Sequence, residues 1–510
     1  MHIPGRLRGA LVLALLALAP ARAAAQASPY VPLDDPSLPL FEFLVARGVV
    51  ADPTPQVRPF RQADALRVLA GADSACACAA TADGRMIREL IAEWTEPAGD
   101  TRWWLAGRAG AQAYTHARRE ELQPLGEGGA NPYVDVTARA VFGPFVAATR
   151  PVIEPRLADD PDWPGRRDVK LLSRLAEAYV SAQARFGRLL YGQLDHNWGP
   201  VGLPGFPVSD YGYERQGFAW ELGTRAVRLG AVAADLHDET DSLGRRVHRY
   251  FFAHRLDVRL SPRLQLAAWE SSVLGGADRG FETRYRNPLA FSYLSNALGL
   301  GDSSNVMLGL DATWRVAGRH TLQAQLALDD FWYQHRDQNR DRWGLTLMAT
   351  GPVLGRAAYR AYYTQVSALA LRTFNRFENF TDAGVGIGRN FTDQDRLSLF
   401  VSWPVTPRWL VTPELTLQRQ GEGSIDAPYP PAGTPELQGT PALFIGTVER
   451  TWRAALGVTG RQGPFALTAD AGFHHVVNAG HVLGATDDRI EARLQATLGL
   501  GRRGVLRGGD

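Results

Sequence analysis

Asp195-His196-Asn197 is the first stretch of this sequence whose residue types suggest chemistry. A histidine held by a third group can take the proton of a nearby serine and turn it into a nucleophile. The chain has many serines, but none stands in a recognisable nucleophile motif, so His196 reads as a solvated loop residue. Two acidic pairs, Asp329-Asp330 and Asp487-Asp488, offer carboxylates to calcium. Two acids fall far short of the roughly six to eight oxygens that ion takes. At strand ends these pairs read instead as water-facing or paired with arginine. Cys76 and Cys78 could close a strained ring, join a metal site or sit as packed thiols. No Cys/His cluster lies nearby, so thiols or a local disulfide are expected, with no metal, no cofactor and no catalytic residue.

These residues sit in a chain dominated by one pattern. From about Trp103 to Leu500, apolar and polar residues alternate in runs separated by turns. Val306, Leu308, Leu310, Ala312 and Trp314 face one way, against Met307, Gly309, Asp311, Thr313 and Arg315. Ile490, Ala492, Leu494, Ala496 and Leu498 repeat the pattern against Glu491, Arg493, Gln495 and Thr497. Successive side chains in a strand point to opposite faces, so each run has one greasy and one wet face. Sandwich strands are shorter, about five or six residues. Runs of about ten residues with a charged inner face suit tilted strands crossing a bilayer around a polar lumen. The fold class expected is an all-β transmembrane barrel, antiparallel, preceded by a small helical module. Arg255, Asp257, Arg259, Asp311, Arg315 and Arg453 are its expected lumen lining.

The rest of the composition agrees. The 510 residues carry a formal net charge of +2, which gives no sign of nucleic-acid binding. After the N-terminus no apolar run approaches the roughly 18 residues of a membrane helix, so strands must carry any membrane role. Arg6 and Arg8, the apolar run Leu11–Leu18 and Ala23-Ala24-Ala25 read as a signal peptide over 1–25. Residues 26–100 read as a periplasmic helical module with helices over Ser37–Arg47 and Arg61–Ala70 and a third from Asp83, whose carboxylate can cap it. Residues 101–500 are the expected barrel and 501–510 a short polar tail. Short turns such as Phe142-Gly143-Pro144 alternate with long loops such as Leu194–Gln216 and Gly421–Val448. Between Gly351 and Thr406 that alternation requires Leu369–Glu378 to be a strand, for roughly eighteen to twenty in all. Aromatics at strand ends, among them Trp103, Phe251, Trp403 and Trp452, are the expected interfacial girdles.

Several short motifs then line up in one order. Tyr30-Val31-Pro32-Leu33-Asp34, Phe43-Leu44-Val45-Ala46-Arg47-Gly48 and Arg58-Pro59-Phe60-Arg61 lie in the module. Glu177-Ala178-Tyr179-Val180-Ser181 precedes Gly192-Gln193-Leu194-Asp195-His196-Asn197-Trp198-Gly199-Pro200, and Arg286-Asn287-Pro288, Asn305–Asp311 and Leu328-Asp329-Asp330-Phe331 follow. Together they resemble the Wzi family of capsule-assembly outer-membrane proteins. The resemblance implies about eighteen strands, a periplasmic helical module and a lectin-like, non-catalytic activity that holds capsular or exopolysaccharide at the surface of a Gram-negative-type bacterium. It leaves Asn197, Gly199, Pro200, Asn287, Pro288, Asp329 and Asp330 without a stated role.

Loop topology and aromatic chemistry, rather than the resemblance, select Trp198, Tyr211, Tyr213, Tyr285, Tyr293 and Tyr429 as rings on which sugars could stack. For Trp198-Gly199-Pro200 and Asn287-Pro288, loop folding or lumen plugging weighs more than direct ligand contact. Outer-membrane lipid is the second expected partner, with peptidoglycan or periplasmic export machinery open to the module, which also resembles a surface-layer-homology repeat. The alternative is a diffusion porin for small hydrophilic or sugar solutes, whose lumen should be open where that of a lectin barrel should be plugged. A lipid-cleaving barrel would need an activated serine that the sequence does not offer.

Overall fold

The structure, a computed structural model, describes residues 27–75, 81–277, 279–280, 304–330, 340–431 and 433–505. The expected signal peptide and Cys76 and Cys78 lie outside them. Eighteen antiparallel strands form one sheet. Each pairs with its neighbour in sequence, and the first, Thr101–Tyr114, closes on the last, Thr486–Val505, with Gly110 opposite Thr497. Closure gives every strand a partner on both edges, the condition for burying backbone in lipid.

The alternation sorts side chains as a membrane barrel requires. Leu310 is 58% exposed while its neighbour Asp311 is 4% exposed. The same inversion places Leu105, Val180, Leu222, Leu347, Leu415, Leu456 and Leu498 on the outside. Inside, charge is neutralised across strands. Arg255 pairs with Asp257 at 3.1 Å and with Asp311, which also accepts from the Trp269 indole at 2.9 Å. Arg453 pairs with Glu414 and Asp470. In a low-dielectric wall such pairing is what makes inward charges tolerable.

The structure corrects several expectations. The strands Ala357–Val366 and Gln394–Thr406 pair directly, Ala358 opposite Ser402, so Leu369–Glu378 is not a barrel strand. Its apolar residues Leu369, Ala370 and Leu371 are buried, and Ala370 and Leu371 join a cluster inside the lumen, which satisfies them without lipid contact. The final strand also runs through 501–505, where a polar tail was expected. Arg102–Ala106 need ladder partners on their second edge, and Gly501–Val505 supply them. Phe251, expected in a girdle, faces that same lumen cluster; Trp452 is exposed on the outside.

At the end of the barrel with short turns sit three helices, α1 (Leu38–Ala46), α2 (Gln62–Ala75) and α3 (Ala82–Trp94). They pack around Phe41, with Phe60 at 5.0 Å and Trp94 at 5.6 Å between ring centres. The α3 cap is Thr81, whose hydroxyl accepts from Gly84 N at 3.2 Å; Asp83, expected there, instead pairs with Arg47 at 3.0 Å. A β-hydroxyl at the N-cap position reaches that amide directly, which leaves Asp83 free to hold α1. The helices share their core with Ala358 and Leu410 of the barrel wall. Arg47 donates to the carbonyls of Gly355 and Ala357 at 3.1 Å, and Arg408 and Arg461 of the hairpins reach Glu89 and Glu93 at 2.7 and 2.5 Å.

Candidate functional site

The lumen is built from both ends. From the helical side, the segment after α1 enters the barrel, and Gln56 Nε2 donates to Ala312 O at 2.8 Å and to Thr313 Oγ1 at 3.0 Å. From the other side the loop Leu194–Arg215 folds inwards. The two meet backbone to backbone: Arg58 N donates to Asn197 O at 2.9 Å and Asn197 N to Arg58 O at 3.0 Å.

Asn197 shapes its loop with its side chain as well. Its amide donates to Leu203 O and its carbonyl accepts from Gly205 N, both at 2.8 Å. Trp198 follows, 4% exposed, its carbonyl accepting from Gln325 at 2.8 Å. Gly199 packs directly on Gly205, leaving no room for a Cβ, and Pro200 O closes the turn on Leu203 N. A second loop, 367–393, is drawn in beside it. Arg249, fully buried, donates to the carbonyls of Phe377, Asn379 and Thr381, and Asp329 accepts from Leu371 N at 2.9 Å. Asp330 pairs with Arg342 on the wall. Ser209 joins the two loops, its amide to Ile387 O and its hydroxyl to Gly388 O. Trp198, Phe206, Phe380 and Ile387 then pack with Phe251, Trp269 and Met307 of the wall into one apolar core inside the barrel.

Two cavities flank this plug. The larger, about 650 Å³, lies between α1 and the barrel wall, with Val201, Gly202 and Leu203 on its loop side. The smaller, about 210 Å³, is lined by charges. There Arg150 bridges Asp34 and Glu177 at 2.7 and 2.8 Å, and Arg156 bridges Glu154 and Asp160 at 2.9 and 2.7 Å. Asp195 also faces it; burial and the nearby Asp210 push its carboxyl up to about 7. Burial lowers His196 to about 4, and its Nδ1 lies 2.8 Å from Leu194 O rather than against a serine hydroxyl.

The aromatic candidates are not brought together. Trp198 and Tyr213 are buried, 4% and 7% exposed, which leaves little of either ring open to a sugar. The Tyr213 hydroxyl donates to Asp160 at 2.5 Å and its ring meets Trp163 edge-on. Tyr211 is half-buried, donating to Asp162 at 3.0 Å. Tyr429 is partly exposed in another loop, beside the exposed ring of Phe374 at 4.7 Å and under the Arg342 guanidinium at 4.8 Å. Tyr285, Tyr293, Asn287 and Pro288 lie outside the described residues. The entry of Gln56 into the lumen had no signal in the sequence.

Fold and lumen together define an eighteen-stranded barrel of outer-membrane type, its interior filled by its own loops and capped by helices. Among solved structures it is similar to Wzi from Escherichia coli, described as an outer-membrane protein involved in group 1 capsule assembly and a carbohydrate-binding β-barrel. The TM-score is 0.63 at 13% identity, over 94% of this chain and 100% of that one. It also matches Pseudomonas aeruginosa OprD at a TM-score of 0.44 and 11% identity, over 80% and 97% of the two chains, and Acinetobacter baumannii OccAB4 at 0.44 and 9%, over 79% and 99%. No protein-family model and no curated protein matches the sequence.

Proposed function

We propose that this chain is an outer-membrane barrel of the Wzi kind that binds capsular or exopolysaccharide and helps attach or organise it at the cell surface, without catalysis. The observation that carries the reading is the apolar core inside the lumen. A diffusion porin needs a continuous wet path, whereas Trp198, Phe206 and Phe380 fill this barrel with packed side chains held by buried hydrogen bonds. The likeness to the carbohydrate-binding E. coli barrel supports the same choice over a porin. In this reading the helical end faces the periplasm and the long loops face outward, with the partly exposed Tyr429 and the exposed Phe374 as an aromatic pair suited to a sugar ring.

The test is the partition of surface polysaccharide between cells and medium, with and without the gene. Equal synthesis with shedding in its absence is expected. Unchanged partition refutes attachment, and steady conductance of the purified barrel in a planar bilayer would favour the porin.

A further inference from the structure

The larger cavity gathers unmatched cations. Many inward arginines elsewhere are paired with carboxylates, and others, such as Arg372 and Arg389, donate to neutral protein oxygens. Arg259, Arg315 and Arg360 on this wall and Arg263 at its rim form no ion pair among the described residues and border open volume. The neighbouring acids do not offset them. Glu42 and Asp52 are taken by Arg58 at 2.8 and 3.0 Å, and Glu120 by Arg396 at 3.1 Å. Asp210 is pushed up by burial.

Strand register arranges what stands between the arginines. One row across neighbouring strands runs Arg259, Gln265, Thr313, Gln323. The next runs Arg315, Thr321, Thr350, Arg360, Phe400. Adjacent members stand one strand spacing apart, about 4.8 Å, close to the rise of one sugar ring. Arg360 lies over the Phe400 ring at 4.4 Å, with Nε buried and unpartnered. A Cβ on Gly202, at φ +79°, would collide with its guanidinium. The cavity reaches the surface at the rim, where Ala51 and the turn Ser261-Pro262-Arg263 are exposed.

We infer that this cavity binds a carboxylate-bearing oligosaccharide entering from the helical end of the barrel. Guanidinium forks grip carboxylates, while amide and hydroxyl rows suit sugar hydroxyls. The volume lies within the roughly 300–1,000 Å³ of small-molecule sites, enough for a short saccharide. This deepens the carbohydrate-binding reading above and rests on it. Such a ligand could be a segment of acidic surface polysaccharide or a peptidoglycan fragment.

Calorimetry on the full-length barrel in detergent tests it, with a hyaluronan tetrasaccharide, a disaccharide-tetrapeptide from peptidoglycan, neutral maltotetraose and inorganic phosphate as probes. At least one acidic saccharide should bind, more weakly as salt rises, and whichever binds tighter assigns the source. Maltotetraose should bind at least about tenfold more weakly, and R259Q/R315Q or R360Q should lose about tenfold or more, the scale of a hydrogen bond to a charged group. Equal binding of maltotetraose, displacement by phosphate at equal concentration, absence of acidic binding, or unchanged affinity in the variants overturns the inference. Heat-modifiable gel migration checks folding; should the double variant fail it, R360Q and the wild-type salt dependence decide. Where the hyaluronan probe binds tighter, deletion that sheds polysaccharide in cells alongside R259Q/R315Q that retains it sinks this site alone, whereas deletion without shedding sinks the attachment reading beneath it.

Discussion

Asn197 is the residue whose loss should open the barrel. Replacing it with alanine removes the donor to Leu203 O and the acceptor for Gly205 N, both 2.8 Å bonds in a side chain that is 7% exposed. Each backbone group left unsatisfied costs about 1–3 kcal/mol. The inward loop should therefore lose about 3 kcal/mol, roughly a hundredfold in its ratio of closed to open forms at 1.4 kcal/mol per decade. The backbone bridge to Arg58 survives the substitution, so opening should be intermittent rather than permanent. In planar bilayers the wild type should stay silent and N197A should show brief conductance steps, while gel migration shows both as folded barrels. Steady wild-type conductance, or an N197A trace no different from a silent wild type, would refute the claim that this loop seals the lumen.

The neighbouring pair gives a pH test of the same loop. Asp195 keeps its proton to about 7 in the fold against about 4 unfolded, so its contribution, full below pH 4, is lost as pH rises to 7. His196 is lowered to about 4 against about 6.5 unfolded, so its contribution is lost as pH falls through that window. D195N should raise the unfolding temperature relative to wild type at pH 7.5 and lose that advantage by pH 4, H196Q should gain relative to wild type on acidification, and matching profiles would contradict both assignments. R58M strands Glu42 and Asp52 beside each other without a cation; it should destabilise module docking by about 3–5 kcal/mol, read as faster proteolysis of the N-terminal segment, and wild-type resistance would count against the clasp. L310R puts a cation on the lipid face at a cost of about 2–4 kcal/mol near mid-bilayer, and folding yield into vesicles should fall; an unchanged yield would argue that this face does not meet lipid.

The barrel was legible because a strand writes its two environments into adjacent letters. Leu310-Asp311 and Leu494-Gln495 state which side is lipid and which is lumen without reference to any distant residue. The helices were legible for a similar local reason, with Leu40, Phe43 and Leu44 spaced along one face. Alternation says nothing, however, about which interior an apolar residue will find. Leu369-Ala370-Leu371 reads as strand because it is apolar, yet Ala370 and Leu371 join the cluster of Trp198, Phe206 and Phe380 inside the lumen. Gly501–Val505 reads as tail because it is polar, yet the first strand's open edge claims it. Tyr213 could be assigned to a loop, but not to the inside of that loop's fold, whereas Trp198-Gly199-Pro200 already read more as loop folding or lumen plugging than as ligand contact. Arg58 meeting Asn197 is a contact between remote segments that neither sequence neighbourhood encodes.

Charge pairing separates scaffold from function in this lumen more sharply than aromatic content does. A guanidinium in a low-dielectric wall with no carboxylate is costly, and the barrel avoids that cost at Arg255, Arg150, Arg156 and Arg453 by placing acids within reach. It does not avoid it along the row from Arg315 to Arg360, where Thr321 and Thr350 rather than carboxylates stand between the two arginines. A wall that gathers uncompensated cations where it borders this empty volume is arranged for an anion it does not itself supply. The aromatic rings of this protein mostly hold its loops together, and the unpaired arginines around the larger cavity mark where a ligand would be held.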